Sequence, residues 1–524
     1  MAIRTWGNAR GAALRVMVSI ASSSAFLLFG YDQGVFAGLI GGSAFKDTFN
    51  NPDTTTIGTV TAIYEIGCFL GAILTFYIGD KLGRKKAIWL GLLIMLVGTV
   101  LQTTAYGLAH MIVGRVVTGI GNGINTSTVP MYQAETTKAR SRGRMISIEG
   151  WFITIGITIS YWITYGTSFS HDAAIQWRTP IALQIAFGLV TAFMLFGLPE
   201  SPRYLMAKDR REEALEVLAL LEGADQQSEA VQSQFRSIQS ALEFSRSAAN
   251  GSAITWRDYF RGGKQQTFRR LALGYCIQMM QQLTGINAVI FYSAYLLENV
   301  LQLPRELSLI VGGCTGLTFF VFTFIPIIFI DKWGRRKPLM LGAAGQSIAM
   351  AVIAVCVKLS VQDGNKAAGT AGVIFVMVYI ATYSGFAWVA TPWLYPTEIN
   401  ELRFRNQGAA LATSANWLWN FAVVKITPVG AQNLGWKFFL IFMVFNAAFV
   451  PIIYFLYPET AGKSLEQLET LFHHTTHAWK LTEKGTHGDD IDLPMGVESM
   501  SSDEEDGTKK RASHASISEA NEKL

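Results

Sequence analysis

Apolar blocks of about 20 residues recur along most of this chain, each long enough to cross a hydrocarbon core about 30 Å thick. Twelve such blocks cover roughly residues 14–40, 57–78, 87–105, 108–131, 147–166, 180–198, 271–297, 308–330, 338–358, 371–396, 407–430 and 436–457. Read as spans 1 to 12, they predict an all-α polytopic membrane protein. Half of the 524 residues are hydrophobic and only 15% are charged, where soluble domains carry about a quarter. The first block is long, contains Asp32 and lacks a small-residue cleavage site, so it reads as a retained first helix and not as a signal peptide.

The net charge of +5 does not point to nucleic acid, because the basic residues sit in short clusters between spans. Lys81, Arg84, Lys85 and Lys86 follow span 2; Lys138, Arg140, Arg142 and Arg144 follow span 4; Lys332, Arg335, Arg336 and Lys337 follow span 8. Loops of the opposite side hold one or two basic residues at most, such as Lys46, Arg178 and Arg305. The positive-inside rule then places both termini in the cytoplasm. Cys68, Cys276, Cys314 and Cys356 all lie within spans without CxxC spacing, which argues against disulfides and zinc.

The second six spans echo the first six. GDKLGRKK (79–86) recurs as IDKWGRRK (330–337), Glu135 and Arg142 recur as Glu398 and Arg405, and PESPRYL (199–205) is matched by PETAGKSLE (458–466). A parallel repeat of six-helix halves is a transporter architecture, with the substrate site between the halves near the midplane. The expected division is a first half at 1–198, a helical cytoplasmic linker at 199–270, a second half at 271–457 and a largely disordered cytoplasmic tail at 458–524.

Ionisable groups inside a span are costly and are functional candidates. Asp32 in span 1 and Arg115 in span 4 lie at matching depth, roughly 10–12 Å below the outer surface at 1.5 Å per residue, so they can face each other. Such a pair is held while the carboxylate is ionised and released on protonation; the alternative is a permanent brace. Glu65 in span 2 lies at similar depth and could also touch this pair, but the favoured reading for it is an acid that holds its helix in place by hydrogen bonds. Lys425, near the outer end of span 11, can snorkel to the headgroups and is assigned no role.

A sugar presents hydroxyls that donate and accept and C–H faces that stack, so its pocket wants carboxamides and aromatics. In span 7, Gln278, Gln281 and Gln282 share one helix face, with Asn287 beyond Gly285. A cluster of amides at mid-membrane depth fits a cavity better than a glue between helices. Span 10 holds Trp388, Pro392, Trp393 and Pro396, whose prolines are expected to break the helix and expose backbone. Span 11 adds Asn416 and Trp417.

From about residue 25 to 470, GRKK, GRVVTGIGNG, PESPRYL, QQLTGINAVIFYS, DKWGRRK and PET fall in order on the right spans, and together they resemble the sugar porter family of the major facilitator superfamily. FGYDQG and GWKFFLIF are similar to fungal members. The resemblance implies a twelve-helix fold in two six-helix halves that moves a monosaccharide by alternating access. It implies Asp32 as the protonation site with Arg115 as its partner, and Gln281, Gln282, Asn287, Trp393 and Asn416 as sugar contacts, with Trp388 counted beside them. Tyr292 occupies the outer-gate position. Asp80, Arg84, Glu135, Arg142, Asp331, Arg335, Glu398 and Arg405 would form a cytoplasmic salt-bridge network that joins the halves in the outward-open state. Two departures stand out: Gly150 replaces a sugar-binding Gln of span 5, and span 8 contains no Asn.

No nucleophile–base constellation, Walker loop or metal cluster is visible, so neither an enzyme nor a cofactor is expected. The glycines of GIGNG (119–123) sit inside span 4, where small residues permit close helix packing. The sequons at Asn125 and Asn250 fall in a span and on the cytoplasmic side, so neither is expected to be modified. The tail serines Ser501, Ser502, Ser513, Ser516 and Ser518 are read as solvated linker. The resulting expectation is a monomeric, proton-coupled carrier of a monosaccharide, of the hexose class, in the plasma membrane, with the sugar, the proton and the lipid bilayer as partners. An uncoupled facilitator and a non-transporting sugar sensor are the alternatives.

Overall fold

The computed structural model describes residues 8–40, 42–138, 141–248, 259–260, 266–299, 304–463, 465, 467–468 and 472. Arg140, Asn250 and the tail serines lie outside the described residues. Spans 1 to 6 are the helices Ala12–Leu39, Thr54–Leu82, Arg84–Thr103, Leu108–Thr136, Arg142–Thr167 and Ala173–Phe196. Spans 8, 9, 11 and 12 are Arg305–Trp333, Arg336–Gln362, Arg405–Leu434 and Lys437–Leu456. Spans 7 and 10 are each broken in two, as Thr267–Leu283 with Ile286–Asn299 and as Lys366–Gly385 with Thr391–Ile399. Several helices run past their apolar blocks on the side of the basic loops, because that end is built from charged residues paired with one another.

The duplication is visible in the packing. Spans 1 and 5, 2 and 4, 3 and 4, and 3 and 6 pack within the first half; 7 and 11, 8 and 10, 9 and 10, and 9 and 12 pack within the second. The halves meet along two seams, span 2 against span 11 and span 5 against span 8. This is the twelve-helix, two-half architecture of the major facilitator fold.

Nine helices among the described residues are long and apolar enough to cross a membrane. The spans that fall short are 4, 7 and 11. Span 7 falls short because its break leaves helices of 17 and 14 residues; spans 4 and 11 are poorer in apolar residues, and their polar side chains are buried against other protein. Lipid-facing residues such as Leu93, Val97, Phe193 and Val321 are exposed, as a bilayer requires.

Between the halves, helices Pro202–Ala207, Arg211–Glu222 and Glu229–Ala248 pack beneath the first half. Leu220 accepts a backbone hydrogen bond of 2.7 Å from Gly11, and Glu222 pairs with Lys138 at 2.6 Å and with Arg15 at 3.8 Å. The tail departs from the expectation at its start. Leu465, Leu468 and Phe472 are buried, the Phe472 carbonyl accepts from Gln266 at 2.6 Å, and Arg270 lies 4.5 Å over the Phe472 ring. These three residues are spaced three and four apart, as on one helix face, and Phe472 lies at the base of span 7.

Candidate functional site

Asp32 and Arg115 are both fully buried, with Asp32 Oδ1 3.5 Å from Arg115 Nη1. Gln184 of span 6 donates to the same oxygen at 2.9 Å. Oδ2 has no hydrogen bond of normal geometry, and the Tyr64 hydroxyl lies beside the carboxylate. The guanidinium is held from several sides. It donates to the carbonyls of Val60 at 3.3 Å and Thr61 at 3.0 Å, and it sits 3.9 Å from the Phe36 ring centre and 4.5 Å from that of Tyr64. Its planar fork of donors can serve all these acceptors together, and the ring faces favour a cation. Arg115 thus stays anchored whether or not Asp32 carries charge.

The second half supplies amides around two helix breaks. Gly285, at φ +92, lets span 7 turn between Leu283 and Ile286. In span 10 the break lies at residues 386–390, ahead of Pro392, with Ala387 at φ +65. Pro392 and Pro396 belong to the helix that resumes at Thr391, so the prolines mark the restart and not the break itself. Gln281 donates to the exposed carbonyls of Trp388 at 2.7 Å and Val389 at 3.3 Å, and Gln278 donates to Pro392 at 2.9 Å. Asn416 donates to both Gln278 and Gln281, the latter at 2.8 Å. Asn287 donates to Gln282 at 2.6 Å and to Asn420 at 2.7 Å. The amides expected from the sequence are therefore buried in two adjoining clusters, Gln278 and Gln281 with Asn416, and Gln282 and Asn287 with Asn420.

Aromatic rings close these clusters on the first-half side. Trp393 lies 5.9 Å from Phe26, 6.2 Å from Phe29 and 6.5 Å from Trp417. Trp417 meets Phe29 at 5.3 Å and Tyr64 at 6.2 Å, and its indole donates to Thr126 at 3.2 Å. The void between Gln278, Trp393 and Thr126 is about 10 Å³, room for one water at most. Trp388 is a correction. Its indole donates to the Leu339 carbonyl at 2.9 Å and its ring lies against Phe449, so the break turns it toward spans 9 and 12. Only its carbonyl reaches the amides. Gly150 faces Val389 and Ala390, which stand 3.1 and 3.4 Å from where a Cβ would be.

On the basic side the expected network is assembled. Arg84 pairs with Glu135 at 3.0 Å and with Asp80 at 3.7 Å; Arg335 pairs with Glu398 at 3.2 Å and with Asp331 at 3.5 Å. The halves are tied by exchange: Arg405 reaches Glu135 and Arg142 reaches Glu398, each at 3.8 Å. Asp331 also accepts from the Arg144 backbone at 3.2 Å, and Gln407 donates to Asp80.

Two further acids belong to this network. Glu200 accepts from the backbone of Arg84 at 3.1 Å, and Glu459 from that of Arg335 at 2.8 Å. Each sits at a helix N-terminus, where the free N–H groups attract an anion. Gly83 (φ +84) and Gly334 (φ +81) allow this approach, since a Cβ there would lie 2.7 Å from the Glu200 carboxylate and 2.4 Å from that of Glu459. Burial pushes the Glu200 carboxyl above its ordinary range, opposed by the Ser201 N–H and the Arg84 charge.

On the opposite side, Lys425 donates to Thr59 and, at 3.3 Å, to the Thr55 carbonyl, tying span 11 to span 2. The Tyr292 hydroxyl lies against Gly58. Asn125 is buried within span 4.

Gln184, Tyr64, Phe26, Phe29, Asn420, Glu200 and Glu459 were not singled out as site residues from the sequence. Gln184 and Asn420 carry the same signal as Gln281, a carboxamide in an apolar block. The two glutamates lie in the repeated PES and PET motifs. The phenylalanines carry no signal, since a ring in a span is usually packing.

A membrane-embedded helical bundle with a polar, aromatic-lined site sealed between two repeated halves defines a transporter. The chain belongs to the sugar (and other) transporter family, whose model matches residues 17–472. It is 40% identical to the MFS-type transporter oryC of Aspergillus oryzae over 88% of this chain and 86% of that protein. It is 37% identical to the sugar transporter STL1 of Saccharomyces cerevisiae, over 89% and 82%, and 31% identical to a high-affinity glucose transporter of Kluyveromyces lactis, over 87% and 84%. Its fold is similar to that of the proton:xylose symporter XylE bound to 6-bromo-6-deoxy-D-glucose, with a TM-score of 0.77 at 23% identity, covering 88% of this chain and all of that one.

Proposed function

We propose that this carrier takes up a monosaccharide of the hexose class together with a proton by alternating access. One observation carries the reading: the Asp32–Arg115 pair and the amide site share a chain of contacts. Arg115 lies on Tyr64, Tyr64 meets Trp417, and Trp417 follows Asn416, which bonds to Gln278 and Gln281. In this reading Asp32 gains a proton as an O–H bond and its ion pair with Arg115 breaks. Arg115 remains anchored by Val60 and Thr61, and the change reaches the site through Tyr64. Gln281, Gln282, Asn287 and Asn416 take the sugar hydroxyls, Trp393 stacks on its C–H face, and Tyr292 closes the outer side. The bridges from Glu135 to Arg405 and from Glu398 to Arg142 part when the carrier opens inward.

The names of relatives support a sugar as cargo, among them glucose and galactose transporters of yeasts. The basic loops support a cytoplasmic side for the network and for both termini; plasma membrane residence and a monomeric carrier complete the reading. The test is labelled glucose uptake in a hexose-transport-null yeast, for wild type and Asp32→Asn, at pH 5 and 7, with and without protonophore. Accumulation that collapses with protonophore and is lost in Asp32→Asn is expected. Equilibrating uptake indifferent to both would leave a facilitator, and no uptake of any hexose by protein at the surface would overturn the reading.

A further inference from the structure

The carboxylate of Glu65 has no place in the mechanism above, yet it lies at the seam between the halves. Glu65 is fully buried in span 2, and neither oxygen makes a hydrogen bond of normal geometry. From span 11, the Asn420 side chain comes within reach of it. Asn420 Nδ2 has no hydrogen bond of normal geometry either, while its Oδ1 is engaged by Asn287. From span 4, Arg115 grips the carbonyls of Val60 and Thr61, one helical turn before Tyr64 and Glu65. The charged groups that act on Glu65 are Arg115 and, from span 1, Asp32; Tyr64 and Cys68 are the titratable neighbours on its own helix.

Two buried acids thus lie around one cation: Arg115 pairs with Asp32 at 3.5 Å and holds the span-2 backbone one turn from Glu65. With both acids ionised the cluster carries one net negative charge, and burying net charge is costly. One proton makes it neutral.

We propose that Glu65 is a positioning residue for proton coupling: it is the second anion for Arg115, which makes the cluster take up one proton per cycle and passes the change to Asn420 and Asn287. This rests on the proton-coupled reading above. When Asp32 accepts the proton, its ion pair breaks and the guanidinium, still charged, is left with Glu65 as its anion. That draws span 2 and Arg115 onto the face that holds Asn420, and Asn420 sets which way Asn287 presents its amide to a sugar hydroxyl. Without the charge of Glu65, the Asp32–Arg115 pair is already neutral and needs no proton.

The experiment uses the purified full chain in proteoliposomes, with labelled D-glucose, D-galactose or D-xylose, whichever wild type carries fastest. Counterflow and accumulation driven by an imposed pH gradient are measured for wild type, Glu65→Gln and Glu65→Asp. Wild type is expected to accumulate sugar. Glu65→Gln keeps counterflow within about threefold, but its inside-to-outside ratio under the gradient falls to about one, the value for a carrier without a coupled ion. Glu65→Asp restores part of the accumulation. Undiminished accumulation by Glu65→Gln overturns the proposal while leaving proton coupling intact. Loss of counterflow and accumulation together in both variants assigns Glu65 a structural role and also overturns it. If wild type itself only equilibrates, the coupling reading has failed and this proposal falls with it.

Discussion

The two halves of this carrier repeat one topology but use it differently. Span 1 runs unbroken from Ala12 to Leu39 and span 4 from Leu108 to Thr136, and they carry the charged pair. Their counterparts, spans 7 and 10, are interrupted at Gly285 and at residues 386–390, and they carry amides and exposed carbonyls. An ion pair needs rigid walls, because its strength depends on distance in a dry interior. A sugar needs donors and acceptors at several angles, which a broken helix provides from its own backbone. Away from the basic loops the halves therefore differ in kind: the Asp32–Arg115 pair lies in one and the amide clusters in the other.

The comparison breaks most severely at Arg115. Arg115→Ala leaves Asp32 buried without its cation, a loss on the order of 3–5 kcal/mol, read as a lower unfolding temperature of the purified protein and no transport. The double variant Asp32→Asn with Arg115→Gln is expected to recover much of the stability while accumulation stays absent. In the other half, Gln281→Ala removes the donor to Trp388 and Val389 and leaves Asn416 half satisfied. At about 1–3 kcal/mol for unsatisfied buried groups, the KM for sugar is expected to rise roughly ten- to a hundredfold, with the pH dependence of uptake unchanged.

The network on the basic side should show the symmetry that the site has lost. Glu135→Gln and Glu398→Gln each remove one crossing bridge at 3.8 Å and one partner of Arg84 or Arg335. Both are expected to shift the carrier toward opening on that side by similar amounts, about 1–2 kcal/mol. The labelling rate of a cysteine introduced at Ala409, buried one turn from Arg405 in span 11, reads this. The smallest effect is expected at Trp388→Phe, which loses one hydrogen bond to Leu339, about 1 kcal/mol. Stability drops slightly and KM does not move, whereas Trp393→Phe moves KM.

The twelve spans were legible because a hydrocarbon slab imposes one length on every block, and the repeat because its charged loops are copied nearly residue for residue. The amides of span 7 were legible for the same reason as Asp32: polar groups at that depth need a reason. What the sequence could not place was direction. The position of the break in span 10 depends on Ala387 at φ +65, a conformation that no residue type there announces, and it turned Trp388 away from the site. Gln184 and Asn420 became members only when a neighbouring helix brought a partner to them. Leu465, Leu468 and Phe472 were hidden in a polar tail, where a short apolar stripe has little weight beside its surroundings.

Val389 stands 3.1 Å from the position a side chain at Gly150 would begin to fill. Span 10 supplies the wall there, through the Val389 side chain and the Ala390 Cβ. At 3.1 Å a Cβ is tighter than an ordinary carbon contact of about 3.5–4.0 Å, so any side chain at position 150 requires Val389 to give way. Position 150 and Val389 are therefore one unit of shape: a larger residue at the first is tolerated only with a smaller one at the second. Enlarging this point takes two substitutions in order, Val389→Ala ahead of Gly150→Gln.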